Sequence, residues 1–379
     1  MKQSELSAWH AATGQAVCLR WKEGRITALE PAKDSPPANL WLAPPLVDLQ
    51  VNGFAGVDFQ QDHLTSADLL GAVRKLRAHG CTRFLLTLIT DEWTRLMARL
   101  KHLRSLRDHS AELRQAIAGW HVEGPFLSSE PGYVGAHDPA WTLDAQPKYI
   151  RELRQVTGKD PVLLTVSPMR QNAIAAIAMA VRLGMKVSLG HTNAPKRRLQ
   201  QAVKAGATGF THLGNGCPQL LDRHDNILWR VFEAPGLTVS LIPDRTHVSP
   251  DLFRLVHRVL GPDAIYYVTD AIAAAAAPPG RYRLGPREVE VGEDQVVRLP
   301  GSPYYAGSAL TPIHGVFRAA RMLKCSWRDV WPRFSDAPAR LMGLTNGLEV
   351  GGPADFCLLE MAGEKDLVSL KVFVKGETA

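Results

Sequence analysis

The chain has 379 residues, 45% of them hydrophobic and 21% charged, enough for one large core with a small appended unit. No apolar run approaches the roughly 20 residues that span a bilayer, and Met1 to Gly14 carries Glu5 and His10 where a signal peptide needs an apolar stretch, so a cytoplasmic protein is expected. Net charge is +7 with a pI near 9.2, but the basic residues form no long run and no aromatic interleaving, which argues against nucleic acid, and an anionic small substrate explains the balance equally well.

Along the chain, Gln15 to Leu29 alternates in the manner of exposed strands and is followed by a proline-rich bend. Then eight short apolar runs follow, each rich in β-branched residues: Leu42 to Val51, Thr82 to Thr90, Ala116 to Glu123, Pro161 to Ser167, Met185 to Gly190, Ala207 to His212, Leu237 to Ile242 and Ala264 to Thr269. Segments with helical spacing lie between them, including Ser66 to His79, Asn172 to Leu183, Arg197 to Ala205 and Pro250 to Leu260. This rhythm predicts an α/β fold, a (β/α)8 TIM barrel over 43–347. Residues 1–42 and 348–379 are expected to join in a small β-sandwich domain, and 279–306 to form an inserted β-hairpin. Ala271 to Ala277 is a small-residue tract.

Catalytic groups of such barrels stand at the C-terminal ends of the strands. Here Gln50 and Asn52 close the first run, Glu123 the third and His212 the sixth, while His191, His247 and Asp270 follow the fifth, seventh and eighth. Five cysteines, Cys18, Cys81, Cys217, Cys325 and Cys357, lack paired spacing, so a metal would rest on histidine and carboxylate. Glu123, His191 and His212 can converge on one divalent ion with open positions for water and substrate. Asp270 ends an apolar strand, where an unpartnered carboxylate is costly, and suits a general base that takes a proton from water and later protonates a leaving amine.

The segments Leu46 to Gly53, His121 to Phe126 with Gly135-Ala136-His137, Gly190-His191-Thr192, Thr211 to Asn215, Val268 to Ala271 and Ala306 to Thr311 occur in order across nearly the whole chain. In these motifs the sequence resembles N-acetylglucosamine-6-phosphate deacetylases of the amidohydrolase superfamily. The resemblance implies hydrolysis of the acetamide of an N-acetylated amino sugar, giving the amino sugar and acetate. Most amidohydrolases carry His-x-His where this chain has Gln50-Val51-Asn52, so a single divalent ion per subunit is implied, zinc first and iron second. By position, His137 would polarise the carbonyl, and Ala136, Asn215 and Gly216 would hold the sugar. Gln50, Asn52, Tyr305, Ala306 and Gly307 join the substrate site. His247 and Arg223 would bind the phosphate, with Arg223 reaching in from the neighbouring subunit of a homodimer.

Two departures touch the pocket and spare the metal ligands. Gly214 precedes Asn215 and Gly216-Cys217 follows it, where the family has an aromatic residue and Ala-Met. The family's Asp-Gly-x-His reads Asp244-Arg245-Thr246-His247, so Arg245 either adds charge to the phosphate site or fills it. An amidohydrolase of N-acyl amino acids or cyclic amides, and a catalytically silent scaffold barrel, remain the alternatives.

Overall fold

The computed structural model describes residues 3–301 and 305–379; residues 302–304 of the expected insertion lie outside it. Among the described residues, eight parallel strands form one sheet in chain order: Leu46–Val51, Cys81–Ile89, Ile117–Glu123, Val162–Val166, Lys186–Leu189, Gly209–Phe210, Thr238–Leu241 and Ile265–Tyr267. The first of these is buried at every position, as expected of a parallel strand covered on both faces. Helices with local start signals return the chain between strands. Ser66–Ala78 begins with a capping box between Thr65 and Asp68, and Pro250–Leu260 is capped by Ser249 with proline at its first position. Together these elements make the (β/α)8 barrel.

No regular ladder joins the first strand to the eighth; the seam is closed largely by side chains. Asp48 accepts from Thr269 Oγ1 at 2.6 Å, from Thr269 N at 3.2 Å and from Gln50 N at 3.1 Å. One backbone bridge, Val51 with Ala271, completes the closure, with Asn52 N donating to Ala271 O at 2.7 Å. The alanine tract has a packing reason. Ala55 N and Gly56 N donate to Ala275 O and Ala273 O, and a Cβ on Gly53 would meet Ala273 N at 2.8 Å, so backbone lies directly on backbone.

The first predicted run is two strands rather than one. Pro44 and Pro45 end Leu40–Ala43, which leaves the barrel and pairs with Ser4–His10 on one side and Phe356–Ala362 on the other. Both chain ends thereby enter one seven-stranded, mainly antiparallel sheet. Ala16–Lys22 shows the predicted alternation, with Val17, Leu19 and Trp21 facing a separate small core that includes Phe356. The insertion holds a hairpin, Gly280–Leu284 with Arg287–Val291, and a short third strand, Val297–Arg298. No helix among the described residues is long and apolar enough to cross a membrane.

Because Asp48 holds two buried donors of Thr269 across the seam and Gln50 N on its own strand, Asp48→Ala is expected to lower unfolding free energy by about 3 kcal/mol or more, since each orphaned buried group costs ~1–3 kcal/mol. Chemical denaturation followed by circular dichroism checks this, and a loss under ~1 kcal/mol would mean that the backbone bridge closes the barrel alone.

Candidate metal centre and catalytic pocket

Three side chains from three strand ends meet at one point. Glu123 Oε1 lies 2.8 Å from His212 Nε2 and 3.3 Å from His191 Nε2, and the two imidazole nitrogens are 3.1 Å apart. Donors around a tetrahedral ion with bonds of about 2.1 Å sit roughly 3.4 Å apart, so this trio fits a divalent cation with little adjustment. It is a carboxylate and two imidazoles, all buried. The His191 tautomer suits that use: Nδ1 faces Tyr133 O at 2.8 Å, and a carbonyl only accepts, so the proton sits on Nδ1 and the Nε2 lone pair is free. Gly135 and Gly216 flank this ring. A Cβ at Gly216 would come within 2.9 Å of His191 Nδ1, and one at Gly135 within 3.0 Å of Cε1.

His191, His212 and Asp270 all have positive φ, at 50°, 33° and 52°. Left-handed backbone at residues other than glycine is strained, and such strain gathers at functional sites. His191 and His212 lie two residues beyond the strands ending at Leu189 and Phe210, and Asp270 three beyond the strand ending at Tyr267, so all three stand at the barrel mouth.

Electrostatics tie the group together. Burial would raise the Glu123 pKa, but its close contacts with the imidazoles of His191 and His212 hold it well below the usual carboxylate range. Burial likewise opposes protonation of His212, and the Glu123 carboxylate outweighs it, raising that pKa. Positive charge between these groups, proton or cation, is what makes burying Glu123 tolerable. Asp270 is pushed up to about 7, first by burial and then by repulsion from Glu123; His212, His247 and a 2.7 Å bond from Asn52 Nδ2 work against the rise. His137 is lowered to about 3 by burial and by its neighbour His191, and is neutral. Thr90 N donates to His137 Nδ1 at 3.4 Å, so Nε2 carries its proton and points to the Glu123 side, 4.0 Å from Oε2.

The pocket over this group has a volume of about 420 Å³. Of the residues expected in the site, all but three line it; Gln50, Ala306 and Arg223 do not. Gln50 is buried beneath with an unpartnered amide, Ala306 is in the small core of the insertion, and Arg223 is exposed on the loop beyond the rim. His247 closes the far end. Its Nδ1 is 2.6 Å from Asp244 Oδ2, and that carboxylate overcomes the effect of burial to raise its pKa; Tyr305 packs beside it with ring centroids 5.4 Å apart. Arg245 neither fills the pocket nor lines it, but turns outward into a neighbouring cavity.

Sequence reasoning passed over Ile89 and Leu284, which also line the pocket. Ile89 pairs with Glu123 in the strand register, so the strand-end rule alone would have found it. Leu284 arrives from the insertion and carries no local signal. That insertion is tied down by Arg287 Nη2 donating to His137 O at 3.0 Å and Gly285 N donating to Asp58 Oδ2 at 2.9 Å.

No family model matches the chain. It is 32% identical over 336 residues to the N-acetylglucosamine-6-phosphate deacetylase of Danio rerio, covering 85% of this chain and 81% of the relative. It is 28% identical to that of Vibrio furnissii, covering 95% and 90%. Among solved structures, a mutant of the N-acetyl-D-glucosamine-6-phosphate deacetylase of Mycobacterium smegmatis, in complex with N-acetyl-D-glucosamine-6-phosphate, superposes with a TM-score of 0.89 at 27% identity, covering 100% of this chain and 99% of that one. A Xaa-Pro dipeptidase, at 14% identity and TM-score 0.61, shares the fold.

The ligand trio predicts a simple metal analysis. After loading with zinc and removal of excess, the unaltered protein is expected to retain the ion, whereas His191→Ala and His212→Ala should each bind it about ten-fold or more weakly while keeping the far-ultraviolet spectrum. Equal retention in both variants would mean that the ion sits elsewhere.

Proposed function

The chain belongs to the N-acetylglucosamine-6-phosphate deacetylase family, and on that premise we propose that it hydrolyses the acetamide of N-acetylglucosamine 6-phosphate to the amino sugar phosphate and acetate. The observation that carries the reading is the convergence of Glu123, His191 and His212 beside a base, Asp270, whose pKa is raised to about 7. Two imidazoles and one carboxylate suit zinc or iron, and because such donors bind zinc more tightly than ferrous iron we assign one zinc ion per subunit. The position where a second ion would want histidines holds two amides, and Asn52 already donates to Asp270. A divalent ion there supplies Lewis-acid polarisation and brings the pKa of water towards neutrality.

The chain's own groups supply the rest. Asn52 Nδ2 fixes Asp270 Oδ1 at 2.7 Å and leaves Oδ2 to take a proton from the attacking water. As the carbonyl carbon becomes tetrahedral, the Nε2–H of neutral His137 donates to the developing oxyanion. Asp270 then returns its proton to the sugar nitrogen, and the carbon–nitrogen bond breaks. Ile89, Ala136 and Leu284 form an apolar corner beside His137, suited to the acetyl methyl. Ala136, His137, Asn215 and Gly216 face the sugar, and Tyr305 and Gly307 complete its wall.

At the far end His247, charged through Asp244, suits a phosphate. It is the one basic side chain there among the described residues, and Arg223 stands exposed outside its own pocket. We therefore assign Arg223 to the phosphate of a neighbouring subunit in a homodimer.

Assay of N-acetylglucosamine, N-acetylgalactosamine and N-acetylmannosamine, each with and without 6-phosphate, tests the substrate; no deacetylation of any of them would overturn it. Asp270→Asn is expected to keep its metal and lose about two orders of magnitude or more in kcat. Near-normal turnover would put the proton on another group.

Arg223→Ala should lower kcat/KM for the phosphorylated sugar by about 2–4 kcal/mol and leave the free sugar nearly unchanged. The His247 pKa is raised, so its charge persists from low pH upwards and is lost as pH rises through that value. KM for the phosphorylated sugar should accordingly climb on the alkaline side, and KM for the free sugar should not. Parallel profiles for the two sugars would remove His247 from phosphate binding.

A further inference from the structure

A second cavity, of about 540 Å³, opens on the outer side of the loop that carries His247. Arg245, Arg254, Arg318 and Arg321 line it, from that loop and from the helices Pro250–Leu260 and Pro312–Leu323. Thr246 lines both this cavity and the catalytic pocket and so forms part of the wall between them.

The positive charge in this cavity is not cancelled. Of its carboxylates, Asp244 is held by His247 and Asp294 pairs with Arg298, both at 2.6 Å. Arg254 pairs with Asp251, and Arg321 with Asp366 at 3.3 Å, but those carboxylates are 92% and 71% exposed. Such surface pairs contribute little and yield readily to a stronger anion. Arg318 makes one long bond, to Asp244 O at 3.5 Å, and Arg245 has no partner among the described residues.

The backbone gives an independent sign. Arg245 has a φ of 73°, a left-handed conformation that glycine takes freely and that strains a residue bearing a side chain. A guanidinium is thus held in the cavity at the expense of local stability, and strain of this kind marks functional positions.

We propose that this cavity is a second ligand site, separate from the catalytic pocket, for a small metabolite bearing two phosphate groups. Guanidinium forks meet phosphate oxygens through paired, charge-assisted hydrogen bonds. A cavity in the range of roughly 300–1,000 Å³ suits a small organic ligand and would leave a lone phosphate loosely held. Its concave form between two helices and a loop favours a compact ligand over an extended acidic protein segment. The site is independent of the deacetylase reading.

Isothermal titration with fructose 1,6-bisphosphate and with ADP tests the proposal, each in the presence and absence of saturating glucosamine 6-phosphate. At least one probe is expected to bind with unit stoichiometry and with an affinity that the sugar phosphate does not change. Arg245→Gly and Arg318→Gln should each weaken that binding about ten-fold or more. Arg245→Gly, relieved of its backbone strain, should melt no lower than the unaltered protein and deacetylate at the same rate. Displacement of the probe by glucosamine 6-phosphate would assign it to the catalytic pocket and overturn the proposal. So would unchanged binding in both variants, failure of both probes to bind at millimolar concentration, or binding of an oligoglutamate peptide in their place.

Discussion

A buried carboxylate that has to meet positive charge governs the architecture of this protein. Glu123 is 3% exposed and lies within 3.3 Å of two imidazole nitrogens contributed by strands two and three places further round the barrel. An isolated carboxylate at that depth would be protonated or would unfold the site. The two histidines reach it only because their backbones take left-handed angles as they leave their strands. The barrel absorbs this strain through buried strands on every side, which hold the trio in one arrangement.

The groups around the trio decide what each atom can do. A main-chain carbonyl at Tyr133 fixes the proton of His191, and a main-chain N–H at Thr90 fixes that of His137 in the opposite sense. The same residue type therefore serves as a lone-pair donor at one position and a proton donor at the other. Asn52 orients Asp270, and Asp48 holds the adjacent Thr269, so the base is braced from the first strand in two places. The insertion reaches across to the carbonyl of His137 and brings Leu284 to the acyl corner. Reactivity thus rests on the strand ends, while the pocket wall comes from loops and the inserted strands, the division of labour that lets one barrel serve many substrates.

The loop after the seventh strand carries two basic groups, one on each side of Thr246, to opposite sides of a thin wall. His247 faces the catalytic pocket through its pairing with Asp244, and Arg245 faces outward among three further arginines. Side chains so close in sequence diverge because the positive φ at Arg245 turns the chain between them. The substitution that looked from sequence like a change to the phosphate pocket acts on a different surface.

Much of this protein was legible before its structure. Hydrophobic rhythm gave eight barrel strands in order, since buried parallel strands need continuous apolar runs and the helices over them need a repeating stripe. The strand-end rule then picked out Glu123, His191, His212, Asp270 and even Asn52 and His247. Sequence also located the terminal strands, though its first barrel run, Leu42 to Val51, took in the end of the strand Leu40–Ala43, because hydrophobicity continues through Pro44 and Pro45 while the ladder cannot. What only the tertiary structure decided was contact between distant segments: Asp48 with Thr269, Thr90 with His137, Arg287 with His137 and the arrival of Leu284 beside Ile89. The directions of Arg223 and Arg245 belong to the same class. A local pattern records which face of an element is buried, but a side chain's target depends on backbone angles and on elements as far as 355 residues away, and no short window of sequence carries that information.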